Sequence, residues 1–352
     1  MSGSATALDL DTNELAEDLT PHQLLRLRLI KRHCTAWDPS KISVALNVAM
    51  DATIVEGCSP DGARVSYSHV VVLDNFIGEA ERAELFTAVT DYGWEGREEP
   101  PTQKWERQTC DGAGASPTWG LKASVLCELL GGDNRAILEV QSRLCRLYPE
   151  YNIVHLPSDV IQSGVGGVQP SDAPAGESLD EDFDCCPMLA NAAVAGDEFQ
   201  WHIDADPAAL PPSSWTSTFG DYCNGEPGKP LLVSLILYLD KEWPRGHDAE
   251  TLFLDASQDV GVVVRPKAYR AVLMDQDVLH RLSPPSRAAG RPRYSLVWKL
   301  AFLPKAEGGR CCIARREWGS PSPIGSAARL EVLKRRAASA AGTAAEAQRS
   351  EA

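Results

Sequence analysis

Leu231 to Leu239 reads LLVSLILYL, and Arg293 to Phe302 reads RYSLVWKLAF. Both are of strand length and carry the β-branched and aromatic residues that pack well on a pleated surface. Shorter segments of the same kind surround them: Met188 to Val194, Thr251 to Leu254, Gly261 to Arg265, Tyr269 to Met274 and Val278 to His280. Asp, Gly and Pro punctuate the series, and Glu198 to His202 leads into one further extended step. About eight short strands at near-regular spacing predict a jelly roll (a double-stranded β-helix) in a mainly β chain with flanking helices, an α+β architecture.

Into this framework fall Trp201-His202-Ile203-Asp204 and, far downstream, His280 followed by Arg293-Tyr294-Ser295. Alternate residues of a strand point to one face, so His202 and Asp204 project together while Ile203 points away. His280 comes from a distant segment, and a closed or sandwiched sheet brings it alongside. Two imidazoles and one carboxylate form the facial triad that holds non-haem Fe(II) and leaves coordination positions open. A basic residue shortly after the second histidine supplies a fixed cation for a second, anionic ligand. Asp206 competes with Asp204 for the metal, but Asp204 has the pleat-matched spacing. His247, in a Pro-Arg-Gly-His-Asp loop, is surplus to a triad already complete. A lone H-x-D is common by chance; the ordered set of H-x-D, H and R-x-S carries the weight.

From about residue 191 to residue 302 the chain resembles the prolyl-4-hydroxylase-like branch of the Fe(II)/2-oxoglutarate oxygenases. The matching residues are Asn191, Trp201-His202-Ile203-Asp204, Leu237-Tyr238-Leu239-Asp240, Glu250-Thr251-Leu252-Phe253, His280 and Arg293-Tyr294-Ser295-Leu296. Upstream, Val71 to Ile77 is similar to the strand that opens such domains. The resemblance implies that His202, Asp204 and His280 bind iron and that Arg293 completes the catalytic set by binding the distal carboxylate of 2-oxoglutarate. It adds hydroxyl hydrogen bonds from Ser295 and Tyr238 to that carboxylate. Asn191 is read either as a substrate or cosubstrate contact or as a residue satisfying a backbone turn. The implied enzyme is a dioxygenase using Fe(II), O2 and 2-oxoglutarate, with ascorbate as an auxiliary reductant. It hydroxylates a C–H bond while 2-oxoglutarate is decarboxylated to succinate and CO2.

The match has departures. Asp248-Ala249 stands where the family often has Gly-Gly, and Pro-Pro-Ser-Arg-Ala-Ala-Gly lengthens the path from His280 to the arginine. Arg291 shares a strand face with Arg293, so either could take the carboxylate; Arg293 is preferred because a serine follows it in phase. The acceptor is a peptidyl side chain such as proline, or a small molecule. A jelly-roll interaction module without turnover is the non-enzyme alternative, and the intact set of four groups speaks against it.

With 352 residues there is room for one large domain with extensions. The expected organisation is an N-terminal extension, 1–66, with a helix at Pro21 to Arg32, then an oxygenase domain, 67–304, then a partly helical, partly disordered tail, 305–352. Within the domain the jelly-roll core begins near 187, after a mobile acidic loop at 163–184, and helices fall at about Glu79 to Thr90 and Arg135 to Leu147. Residues 43–55 admit a strand or a short helix. Residues 93–120, rich in Trp, Pro and Gly, read as loops over the sheet. There Trp105, Arg107 and Trp119 are candidates for the substrate entrance, although packing suits the tryptophans better. A net charge of −15 opposes nucleic-acid and anionic-membrane partners, in spite of an Arg287-x5-Arg293 pair. The 10 cysteines include adjacent pairs, Cys185-Cys186 and Cys311-Cys312, and show no C-x-x-C pattern, so they read as reduced thiols. Met1 to Leu19 is acidic without an apolar core, so no signal peptide or transmembrane span is expected and the location follows as cytoplasmic or nuclear. Oligomeric state is left open.

Overall fold

In a computed structural model of the chain, the described residues are 38–56, 63–109, 116–131, 134–156, 188–210, 214–306 and 311–325. The helix expected at Pro21 to Arg32 and the acidic loop at 163–184 lie outside them. Among the described residues there are thirteen strands and four α-helices.

The two apolar runs are neighbours. Strands β7 (Leu231–Tyr238) and β12 (Arg293–Pro304) pair antiparallel, with Ser295 opposite Tyr238 and Lys299 opposite Ser234. On its other side β7 pairs with β10 (Ala271–Asp275), and all eight of its residues are buried. The large sheet runs β13 (Ser322–Pro323), β1 (Ser43–Glu56), β2 (Ala63–Asp74), β10, β7, β12, β6 (Met188–Ala193), β4 (Thr118–Leu121), β3 (Trp105–Gln108). Strand β5 (Tyr151–His155) pairs with the C-terminal half of β12. A smaller sheet holds β11 (Leu279–Leu282), β8 (Thr251–Leu254) and β9 (Gly261–Val264). This is the mainly β, layered architecture expected of a jelly roll.

Strand alternation sorts the side chains onto two faces. Val233, Leu235 and Leu237 of β7, with Leu296, Trp298 and Leu300 of β12, enter a core shared with helices α1 (Glu79–Val89) and α3 (Arg135–Leu147). In α3, Ile137, Val140, Leu144 and Leu147 recur at helical spacing along one stripe, and the Asn134 side chain accepts the Ile137 N–H at 3.0 Å to cap it. Arg82 donates to the carbonyl of Leu239 and Arg143 to that of Phe76, each at 2.7 Å, which ties the helices to strand ends. Each fully buried leucine here contributes roughly 2 kcal/mol by leaving water. With stability supplied on this side, the opposite face of β7 and β12 can carry polar groups. There Ile236 and Tyr238 pack with Phe253 and Val264 of the small sheet.

The ambiguous stretch at 43–55 is strand β1. Residues 93–120 are not all loop: they contain β3 and β4, which extend the sheet edge, and Trp105 is only 1 % exposed within the helix-side core. Helix α2 (Ala123–Gly131) was not anticipated. Residues 311–325 pack onto the body of the protein: Cys311, Cys312 and Ile313 are buried, Tyr148 Oη donates to the Ile313 carbonyl at 2.9 Å, and β13 pairs with β1. Among the described residues Cys145, Cys223, Cys311 and Cys312 form no disulfide, and no helix is long and apolar enough to cross a membrane.

Candidate metal centre

His280 lies on β11, as expected. The H-x-D segment departs from expectation, because it is irregular backbone with a single bridge at His202 in place of a strand. That bridge is made with His280 itself: His202 N–H donates to the His280 carbonyl at 3.0 Å, and His280 N–H donates back at 2.9 Å. Two residues on, Asp204 N–H donates to the Gln276 carbonyl at 2.8 Å. Few residues of the segment find backbone partners, so no ladder propagates, yet these contacts preserve the alternation that sends His202 and Asp204 to one side. The two imidazole centroids lie 4.4 Å apart.

Each histidine is oriented through its Nδ1, which lies 3.0 Å from the Gln200 carbonyl in His202 and 2.9 Å from the Val278 carbonyl in His280. A carbonyl can only accept, so both Nδ1 carry a proton, which leaves Nε2 as the atom of each ring that can face a metal. Both Nε2 are 3.8 Å from Asp204 Oδ1, and the three potential ligand atoms lie within 4.8 Å of one another. Burial pulls the His280 pKa down to about 4, against the opposing pull of Asp204, so the ring is neutral at pH 7. Burial pushes the Asp204 carboxyl up, but the Lys299 ammonium, the strongest of the opposing influences, holds the group well below the usual carboxylate range. A neutral imidazole at His280 and an ionised carboxylate at Asp204 are the states a divalent metal requires.

The triad opens into a cavity of about 240 Å³ between the two sheets, whose lining includes Asn191, Ile236, Thr251, Arg293, Ser295 and Lys299. Arg293 is 2 % exposed, donates to Ser295 Oγ at 2.6 Å and to the Ala249 carbonyl at 3.3 Å, and sits 5.1 Å above the Tyr238 ring. It forms no ion pair with a carboxylate among the described residues, and burial lowers its pKa. A buried cation without an anion is costly. Arg291 is differently engaged: it pairs with Asp240 at 2.9 Å, donates to the Glu242 carbonyl, and lines a separate groove with Arg107 and Trp119. Tyr238 lies behind the cavity wall, its Oη 2.8 Å from Thr251 Oγ1. Asn191 is half-buried on β6, opposite Ser295. His247 packs edge-on to Trp243, and Asp206 accepts the Ala208 N–H in a local turn, so neither joins the triad.

Two polar residues at the centre escaped the sequence reading. Asp204 Oδ2 accepts from Ser234 Oγ at 2.6 Å and pairs with the ammonium of Lys299. The signal was present: Ser234 is the polar interruption of LLVSLILYL, and Lys299 follows Arg293, Ser295 and Val297 at strand period on one face.

Residues 188–298 match the family model described as the 2OG-Fe(II) oxygenase superfamily. These residues belong to that superfamily. No curated protein matches the chain. Similar solved structures include a prolyl-4-hydroxylase of Pseudomonas putida, at 14% identity over 67% of this chain and 92% of that one, with a TM-score of 0.31. A prolyl 4-hydroxylase of Phytophthora capsici shares 18% identity over 67% of this chain and 58% of that one, with a TM-score of 0.35. A Trichoplax adhaerens prolyl hydroxylase, solved with a peptide fragment of hypoxia inducible factor, shares 13% identity over 67% and 84%, with a TM-score of 0.35. Superfamily and triad together imply Fe(II) and 2-oxoglutarate, and the residues present fit both groups: an open-sided two-His, one-carboxylate set beside a buried, unneutralised guanidinium.

Proposed function

We propose that this oxygenase hydroxylates a C–H bond, with a peptidyl side chain as the acceptor to test first and small molecules second. Fe(II) bound with 2-oxoglutarate and O2 supplies the oxidising chemistry, with succinate and CO2 as the products of the cosubstrate. His202 and His280 offer Nε2, and Asp204 offers Oδ1, from one side of the cavity. Arg293 receives the distal carboxylate of 2-oxoglutarate, a planar anion that its fork matches. Ser295 steadies the guanidinium, while Tyr238 supports its face and braces Thr251 on the wall. Asn191 offers an amide to substrate or cosubstrate from β6. Ile236, Val297 and Phe199 keep the reacting region largely apolar. The observation that carries the reading is a buried guanidinium, paired with no carboxylate among the described residues, in one cavity with the His202–Asp204–His280 set.

The test is turnover of purified protein with Fe(II), 2-oxoglutarate and ascorbate against proline-containing peptide arrays and metabolite mixtures. Succinate formed in step with a product heavier by one oxygen is the expected result. A folded, iron-loaded protein that consumes no 2-oxoglutarate with any acceptor contradicts the proposal and favours an interaction module.

A further inference from the structure

The two carboxylate oxygens of Asp204 have different surroundings. Oδ1 faces the two histidine Nε2 atoms at 3.8 Å each, while Oδ2 is occupied by Ser234 Oγ at 2.6 Å and by the Lys299 ammonium. These two partners are directly opposite one another in the β7–β12 register, so the sheet itself delivers both to the same oxygen. Lys299 is 3 % exposed, lines the cavity, and has no carboxylate partner besides Asp204 among the described residues. A lysine this deep is expensive unless its charge is used.

We propose that Lys299, with Ser234, is a positioning residue that confines Asp204 to one-oxygen coordination and sets the charge of the metal site. With Oδ2 held, the carboxylate has a single oxygen to offer, so a second coordination position is not lost to a chelating aspartate. The ammonium also cancels the carboxylate charge, leaving the two-histidine, one-aspartate set neutral overall when Lys299 is counted. A neutral set holds a divalent cation less tightly than an anionic one and accepts a dianionic cosubstrate more readily. Lys299 would thus exchange metal affinity for 2-oxoglutarate affinity. Outer groups that fix a ligating carboxylate are known to tune metal sites in general.

The inference rests on the metal-centre reading above, and the experiment separates the two. Fe(II) affinity and then 2-oxoglutarate affinity are measured anaerobically, the second from the visible charge-transfer band, in wild type, Lys299→Met, Lys299→Arg and Ser234→Ala. Lys299→Met should bind Fe(II) on the order of tenfold more tightly and 2-oxoglutarate on the order of tenfold more weakly. Lys299→Arg, which keeps the charge, should return both toward wild type. In the Co(II)-loaded protein, Ser234→Ala should change the intensity of the d–d bands as Oδ2 loses one of its two partners. Affinities that fall together, or remain unchanged, in folded Lys299→Met would overturn the inference, since a structural role has no reason to move them in opposite directions. If Lys299→Met does not fold, Ser234→Ala decides: an unaltered Co(II) spectrum overturns the one-oxygen assignment. A wild-type protein that binds neither Fe(II) nor 2-oxoglutarate removes the metal-centre reading itself.

Discussion

Arg293→Met makes a prediction with two opposite signs. A hydrogen bond to a charged group contributes about 1.5–3 kcal/mol, and a guanidinium fork meets a carboxylate with two of them. Ser295 remains in the variant as a partial partner, so the loss in 2-oxoglutarate binding should be about 3–5 kcal/mol, or roughly one hundred to several thousand fold. The ligand-free protein should respond the other way. Arg293 is 2 % exposed and unpaired with any carboxylate among the described residues, so an apolar side chain of similar length removes a desolvated charge. The melting temperature without ligand should hold or rise, whereas stabilisation by added 2-oxoglutarate should vanish. Arg291→Met should do the reverse, because it strips the buried Asp240 of the guanidinium 2.9 Å away and lowers stability while leaving cosubstrate affinity within about threefold. Thermal melts with and without 2-oxoglutarate, beside anaerobic titration, read both quantities. Retained affinity in Arg293→Met, or a large loss in Arg291→Met, would refute the assignment of the anion seat.

Asp204→Ala should abolish Fe(II) retention and also cost about 3 kcal/mol of stability, because Lys299 loses its buried partner. Adding Lys299→Met should restore the melting temperature but not the iron, which thermal melts and metal analysis would show. His69 gives a pH prediction away from the metal. Burial alone would lower its pKa, but its bond to Asp275 at 3.0 Å and interactions with Cys312 outweigh that and raise it to about 10. A folded-state pKa above the unfolded value means that the pair's stabilisation is complete below about pH 6.5. It is lost as pH rises through about 10. The imidazole signals of His69 should therefore show no titration step between pH 6 and 8 by NMR, and a midpoint near the ordinary histidine value would contradict the arrangement.

The β7 and β12 runs were legible because strands buried on both faces read as apolar runs, and helix α3 because its stripe keeps helical period under an asparagine cap. The triad was legible as residue types in order. Its mechanics were not, because the H-x-D segment takes its alternation from a two-residue bridge to His280 and an anchor on Gln276, contacts between positions far apart in sequence. Arg291 and Arg293 share a strand phase, and the preference for Arg293 rests on the serine that follows it; the difference between their surroundings, an ion pair to Asp240 at Arg291 alone, depends on contacts distant in sequence. Lys299 and Ser234 were visible as polar residues at the correct period, but their meeting on one oxygen of Asp204 depends on cross-strand register. Residues 311–325 read as tail because their apolar content is short and local, yet Ile313 and its cysteine neighbours close the core beside Tyr148.

The most direct test of the metal-centre account is anaerobic titration of the full chain with Fe(II) and 2-oxoglutarate, following the visible charge-transfer band. The account predicts the band in wild type and its loss in His280→Ala that remains folded by circular dichroism. A folded wild-type protein that binds Fe(II) and gives no band on addition of 2-oxoglutarate would contradict it.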